Sequence, residues 1–294
     1  MDGHGVTGKG MQYRILGRTG LRVSELGVGG AQIGLKNYMA PWDPFTEASA
    51  QQIERMLDRA LDLGYNYVDT APGYGAGRGE EIIGRVARRR RGDFYLATKT
   101  SAGTWAKGKA EVKAEAEASL RRLQTDHVDV LQFHGGDYTP EQVDHLLQGG
   151  PADAYRELRE EGKVRFLGIT AEEPVTLRPL IVSGLFDVIQ IRFNVLYQNA
   201  YHNLLPEAVA AGLGVVIMRP ATSGQLSKLL RTACPELADR YDLHAFALNF
   251  VLSAPQVSVA IVGTRTVAEV EANNRLSDDT ARRLDQDWLH QRYV

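Results

Sequence analysis

Eight short apolar runs, spread over most of the chain, constrain this sequence more than any other feature. They are SELGVGG (24–30), YNYVDT (65–70), DFYLATK (93–99), VDVLQFH (128–134), VRFLGIT (164–170), DVIQIRF (187–193), GVVIMRP (214–220) and VSVAIVG (257–263). Most are rich in Val, Ile, Tyr or Phe and nearly continuous in apolar character. Alternation would mark a strand with one wet face; continuity marks a strand buried on both, as in a parallel sheet. Helical periodicity fills the gaps. Across 46–64 the residues Ile53, Met56, Leu57, Ala60 and Leu61 share one face, with Thr46 as N-cap and Gly64 as stop. Similar patterns predict helices at 80–89, 110–123, 153–161, 174–183, 203–212 and 239–253. Strand and helix alternate, which implies right-handed βαβ units. Eight such units predict a closed (β/α)8 TIM barrel.

Two segments fall outside the repeat. Residues 11–28 read as a hairpin turning at Arg18-Thr19-Gly20, placed to cap the barrel's N-terminal end. The stretch after 276 reads as extra C-terminal helix, with Leu276, Ala281, Leu284 and Trp288 as its inner stripe. No linker interrupts 11–294, so a single domain is expected there, behind a flexible, Gly-rich tail at 1–10.

Composition narrows the function classes. The chain carries 34 basic and 36 acidic residues, net −2, and lacks the basic field that phosphate backbones require. Nucleic acid is therefore not an expected partner. No run approaches the roughly 18 apolar residues of a membrane helix, and the N-terminus lacks a signal-peptide core. Cys234 is the single cysteine, so no internal disulfide can form, which fits a reducing, cytoplasmic setting. It reads as a loop thiol beside Pro235.

Polar groups recur where each predicted strand ends: Asp69, Lys99, His134, Thr170, Gln190 with Asn194, Arg219, then Thr264 with Arg265. In a barrel these ends converge on one rim, and catalytic residues come from several strands there. Asp69 and Lys99 end neighbouring strands and should pair. A buried pair is weak evidence for stability; its effect on a third group explains it better. Tyr74 follows Asp69 on a loop with Gly73, Gly75 and Gly77. A nearby ammonium lowers a phenol's pKa towards working pH and makes it a competent general acid. His134 could orient a carbonyl oxygen or share the proton. Tyr38, Met39 and Trp42 after the first strand, with Trp105 after the third, could wall an apolar substrate pocket. His134 has no clustered metal-ligand partners beyond Asp137, so no metal is expected.

The quartet Asp69, Tyr74, Lys99 and His134 resembles the catalytic tetrad of the aldo-keto reductases. The surrounding text agrees in order: LGRTGLRVSELGVGG resembles the family's opening hairpin and first strand, and YNYVDTAPGYGAGRGEEIIG its Asp-to-Tyr segment. LATK, LQFHG and LGIT resemble its next strands, and VAIVGTRTVAEVEANN its cofactor-binding close. The resemblance implies hydride transfer from a nicotinamide cofactor to an aldehyde or ketone, with Tyr74 as proton donor. It implies tuning by Lys99 and Asp69, and orientation of the carbonyl by His134. Gln190 matches the side chain that holds the carboxamide, and Asn194 the polar loop after it. Thr170 stands in the family's Ser position, but Ala171 replaces the following Asn. Met218, Arg219 and Pro220 replace a usual Tyr-Ser-Pro, so Met218 would pack where an aromatic stacks and Arg219 would face the diphosphate. Gly224 and Leu226 match the diphosphate loop, Gly263, Thr264 and Arg265 the ribose 2′ region, and Asn273 the adenine contact. Arg265 as partner of a 2′-phosphate favours NADPH, with NADH as the alternative because Glu269 stands where many members carry Arg. Two other readings stay open at this point: a Schiff-base lyase using Lys99, and a cofactor-sensing binding protein on the same barrel.

Overall fold

A computed structural model describes residues 10–101, 103–172 and 174–293 of the chain. The tail expected at 1–10 lies outside these residues, Gly10 excepted. Two antiparallel strands come first, β1 (Tyr13–Ile15) and β2 (Arg22–Ser24). Eight parallel strands follow: β3 (Leu26–Gly29), β4 (Tyr67–Asp69), β5 (Tyr95–Lys99), β6 (Val128–Phe133), β7 (Val164–Ala171), β8 (Val188–Arg192), β9 (Gly214–Met218) and β10 (Val259–Gly263). They pair in sequence order, and β10 closes on β3. All eight runs singled out in the sequence are barrel strands.

The barrel interior is an apolar-lined column of Tyr67, Ala97, Val130, Val188, Val216, Val259 and Ile261, packed from below by Leu16, Leu21 and Val23 of the hairpin. The second, larger core lies between the strands' outer faces and the helices. Helix Glu47–Asp62 shows how the pattern becomes packing. Thr46 accepts the Ser49 N–H as N-cap, and Ala50, Ile53, Met56, Leu57, Ala60 and Leu61 are buried on one face. Gly64 then takes φ +94°, a left-handed geometry suited to glycine, to turn the chain into β4.

Two expectations need correction. The run ending at Pro220 stops as a strand at Met218, because Arg219 adopts φ +55° and breaks the extended geometry. The C-terminal helix Gln286–Tyr293 turns Gln286 and His290 inward, not Trp288, which is 49% exposed, while Ala281 is also exposed. Cys234 agrees with its reading as a loop thiol: it sits, half-buried, in the non-helical joint between helices Gln225–Ala233 and Pro235–Arg240. Helices Pro140–Gln148 and Gln225–Ala233 escaped the periodicity reading altogether. Among the described residues no helix is long and apolar enough to cross a membrane.

Candidate active site

A cleft of about 440 Å³ opens at the C-terminal ends of the strands. Its floor is built from strand termini. Asp69 ends β4 and Lys99 ends β5, both almost fully buried, and Lys99 Nζ donates to Asp69 Oδ2 at 2.6 Å and to the Thr70 carbonyl at 2.8 Å. The other Asp69 oxygen accepts from Gln132 Nε2 at 2.9 Å. The carboxylate is thus held from two sides.

Tyr74 reaches the same point from a loop whose backbone is forced into close quarters. A Cβ on Gly34 would lie 2.3 Å from the Tyr74 carbonyl, and one on Gly75 2.1 Å from the Gly34 carbonyl. Gly75, Ala76 and Gly77 all take positive φ, and the Arg122 side chain occupies the space a Gly77 Cβ would need. The loop's exit is tied down by Glu80, which accepts from Thr98 Oγ1 at 2.6 Å and from Arg122 Nε at 2.7 Å. The Tyr74 ring lies with its centroid 5.4 Å from Lys99 Nζ and meets the His134 ring edge-on at 5.9 Å.

The electrostatics differ from the sequence expectation in one respect. Burial raises the Tyr74 phenol above its ordinary pKa; Lys99 pulls it down, and Asp69 pushes it up again. The net direction is upward, because burial is the largest of these influences and Asp69 works against the ammonium. Burial opposes the charge on Lys99, but Asp69 and Tyr74 outweigh it and hold its pKa above the ordinary value. Burial, helped by Lys99, lowers His134 to about 4. At neutral pH the site therefore holds an ammonium bonded to Asp69, beside a protonated phenol and a neutral imidazole.

The rest of the cleft is a channel. Thr170, Gln190, Met218, Arg219, Pro220, Gly224, Leu226 and Gly263 line it. Gln190 is 1% exposed, and its Oε1 has no hydrogen-bond partner. A buried orphan amide oxygen on a side chain that lines the cleft suits the carboxamide of a nicotinamide. Thr170 lines the wall, but its hydroxyl is engaged, accepting the Gly135 N–H at 3.0 Å next to His134. Arg219, left-handed and half-exposed, pairs with Glu172 at 2.8 Å.

Four predicted cofactor residues stand outside this lining. Asn194 shapes the loop, donating to the Arg219 carbonyl at 2.9 Å and accepting from Leu196 N at 3.0 Å. Thr264 is buried, with its hydroxyl 3.5 Å from Met56 Sδ. Asn273 Oδ1 pairs with His244 Nε2 at 2.7 Å. Arg265 is turned under the loop that follows β3, with Nε on the Gln32 carbonyl at 2.8 Å and Nη2 on that of Tyr38 at 2.7 Å.

Of the aromatic wall, Tyr38 and Met39 line the cleft. Trp42 packs beneath it, and Trp105 lies aside. Sequence reasoning missed Gln132, Glu172, Gln32 and His244. Gln132 alone left a trace there, as an amide inside an otherwise apolar run.

A barrel whose buried cation, carboxylate, phenol and imidazole meet at the strand C-termini, beside a channel with an orphaned amide, has the architecture of a barrel oxidoreductase. Comparison with known proteins narrows the class: the profile of the Aldo/keto reductase family matches residues 25–287, and the chain belongs to that family. L-galactose dehydrogenase of Arabidopsis thaliana is 30% identical over 90% of this chain and 87% of its own length. The holo form of an aldo-keto reductase from Bacillus halodurans superposes with TM-score 0.75 at 28% identity, covering 94% of this chain and 93% of that one. An aldo-keto reductase from Klebsiella pneumoniae in complex with NADPH gives TM-score 0.74 at 25% identity, with 96% and 93% covered.

Proposed function

We propose that this protein reduces aldehyde or ketone carbonyls to alcohols with NADPH, Tyr74 supplying the proton and NADH serving less well. When bound, the nicotinamide supplies the hydride. The chain's own part is to hold the carbonyl oxygen and protonate it. His134, neutral at working pH, donates an N–H to that oxygen without releasing a proton. Tyr74, protonated over the same range, passes its proton to the developing alkoxide. The Lys99 ammonium stabilises the phenolate left behind until solvent restores the proton. Asp69, held by Gln132, fixes the ammonium in place.

Gln190 would hold the carboxamide, and Met218 would pack against the ring. Arg219, with the backbone of Gly224 and Leu226 near the start of helix Gln225–Ala233, would face the diphosphate. Gly263, Thr264 and Asn273 would stand near the adenosine, with Arg265 behind them under the loop that follows β3. The preference for NADPH is in keeping with the Klebsiella relative bound to it. We read the chain as one domain over 11–294, a cytoplasmic monomer or small homo-oligomer acting on a small carbonyl compound, with no nucleic acid or membrane partner. The raised pKa and Asp69 pairing of Lys99 oppose the Schiff-base alternative, which needs a neutral amine.

The juxtaposition of Tyr74, Lys99 and His134 in the cleft that Gln190 also lines carries this reading. Replacing Tyr74 with Phe removes the transferable proton and little else. We expect kcat to fall by about 10²–10⁴, with NADPH affinity, read by fluorescence titration, almost unchanged. Full activity in Tyr74→Phe would refute the proton-donor role.

A further inference from the structure

The segment between β3 and helix Glu47–Asp62 crosses the channel instead of running away from it. Gln32 packs on Gly263 at the end of β10, so closely that a Cβ there would lie 2.5 Å from its amide. Met39 lies 3.7 Å from where a Gly224 Cβ would sit, in the loop after β9. Gln32 and Met39 also touch each other, Nε2 to Sδ, at 3.5 Å. The loop therefore spans from one channel wall to the other. Its crossing is maintained at a conformational cost, since Asn37 and Met39 are both left-handed, with φ of 54° and 65°.

One side chain from outside the loop holds it there. Arg265 donates to the carbonyls of Gln32 and Tyr38, on either side of the bend, and its guanidinium lies 4.9 Å over the Trp42 ring. Trp42 in turn donates from Nε1 to the Ile33 carbonyl at 3.0 Å and from its backbone to Asn37 Oδ1 at 3.0 Å. The planar fork and aromatic stacking of arginine suit this double anchorage, and lysine could not reproduce it. Glu269 meanwhile accepts the backbone N–H groups of Arg265 and Thr266, at 2.7 and 3.0 Å. The helix terminus nearest Arg265 is thus occupied by a carboxylate that would repel a phosphate.

We infer that Arg265 is a positioning residue: it anchors loop 31–42 as a strap across the dinucleotide channel, and this tether, not a 2′-phosphate contact, is its contribution to cofactor affinity. The affinity half of this inference rests on the proposed function; the anchorage does not. The strap carries one tryptic site, Lys36–Asn37, so its release can be read without any cofactor. In cofactor-free protein, Arg265→Ala and, independently, Trp42→Ala should speed cleavage after Lys36 severalfold, seen as one new fragment by mass spectrometry. Both variants should also weaken NADH and NADPH by a similar factor, about tenfold for the arginine. NADH lacks the 2′-phosphate, so its loss is the decisive reading. Unchanged cleavage after Lys36, loss confined to NADPH, or unchanged affinity for both cofactors would each overturn the inference. If Arg265→Ala does not fold, Trp42→Ala decides it. A wild-type protein that binds neither cofactor would defeat the proposed function and leave the cleavage result standing.

Discussion

The two ends of the barrel are built on opposite principles. At the lower end the hairpin drives Leu16, Leu21 and Val23 into the column of strand side chains, and hydrogen bonds tie it down. Arg14 of β1 donates to the carbonyls of Ala254 and Val257 at 3.0 and 2.7 Å, and pairs with Glu25 at 2.9 Å. Glu25, 2% exposed, also takes Ser277 Oγ at 2.9 Å and a second ion pair from Arg283. At the upper end the chain tolerates strain. Of the seven non-glycine residues with positive φ among those described, Asn37, Met39, Ala76, Arg219, Thr222 and Ser223 all lie in loops that follow strands. Gln190 leaves a buried oxygen without a partner there. One end spends its interactions on closure, while the other keeps polar groups in reserve for something that enters.

If that division holds, mutations should separate cleanly into two phenotypes. Tyr74→Phe marks the upper extreme, with its large loss of kcat and a melting temperature within a degree or two of the parent. Glu25→Ala marks the lower one. It strands Arg14 and Arg283, both mostly buried, without their shared carboxylate. We expect unfolding in urea to lose about 3 kcal/mol, while kcat per folded molecule stays the same. A Glu25 variant with normal stability but impaired turnover would erase the distinction between the ends.

Gln190→Leu tests the reserve itself and has a smaller effect. Removing a satisfied buried amide normally costs stability, because a partner is left unpaired. The Gln190 oxygen has no partner to strand. Stability should therefore hold or rise slightly, while cofactor binding weakens by about tenfold, near 1.4 kcal/mol. Loss of stability with unchanged affinity would mean that the amide serves the fold and not a ligand.

How much of this was legible in the sequence follows the same division. Strands buried on both faces leave unbroken apolar runs, so all eight were found, and the residues at their ends fell on one rim as expected. Asp69, Lys99 and Gln190 were readable because strand position decides where they point, and His134 because it directly follows a strand's last residue. Loops offer no such rule. The type and neighbours of Arg265 suit a phosphate ligand; that its guanidinium also turns under residues 31–42 depends on where two distant carbonyls lie. The direction of the Tyr74 shift was missed for a related reason. A nearby lysine argues for lowering, but how far Asp69 cancels that lysine depends on a 2.6 Å contact and on burial, which only the fold supplies. The inner face of the last helix was also misread, since a tryptophan counts as apolar in any pattern wherever it ends up.

The smallest expected effect is an absence of pH dependence, and it sharpens the picture of the upper end. His134, lowered to about 4 by burial and by Lys99, must be neutral to orient a carbonyl in the proposed way. Tyr74, raised above an ordinary phenol by burial, must be protonated to donate. The acid limb of kcat/KM for reduction should therefore fall as pH drops through the His134 value, and the alkaline limb only above the usual phenol range of about 10. Between pH of about 5 and about 9 the profile should be flat, because both groups stay in the form they need. Replacing His134 with Asn, which cannot titrate, should remove the acid limb and leave the plateau's shape. An acid limb near the ordinary histidine value of about 6.5 would mean that the imidazole is better hydrated than its place beside Lys99 and Tyr74 allows. The upper end would then be open to water, where the proposed proton transfer requires it to be shielded.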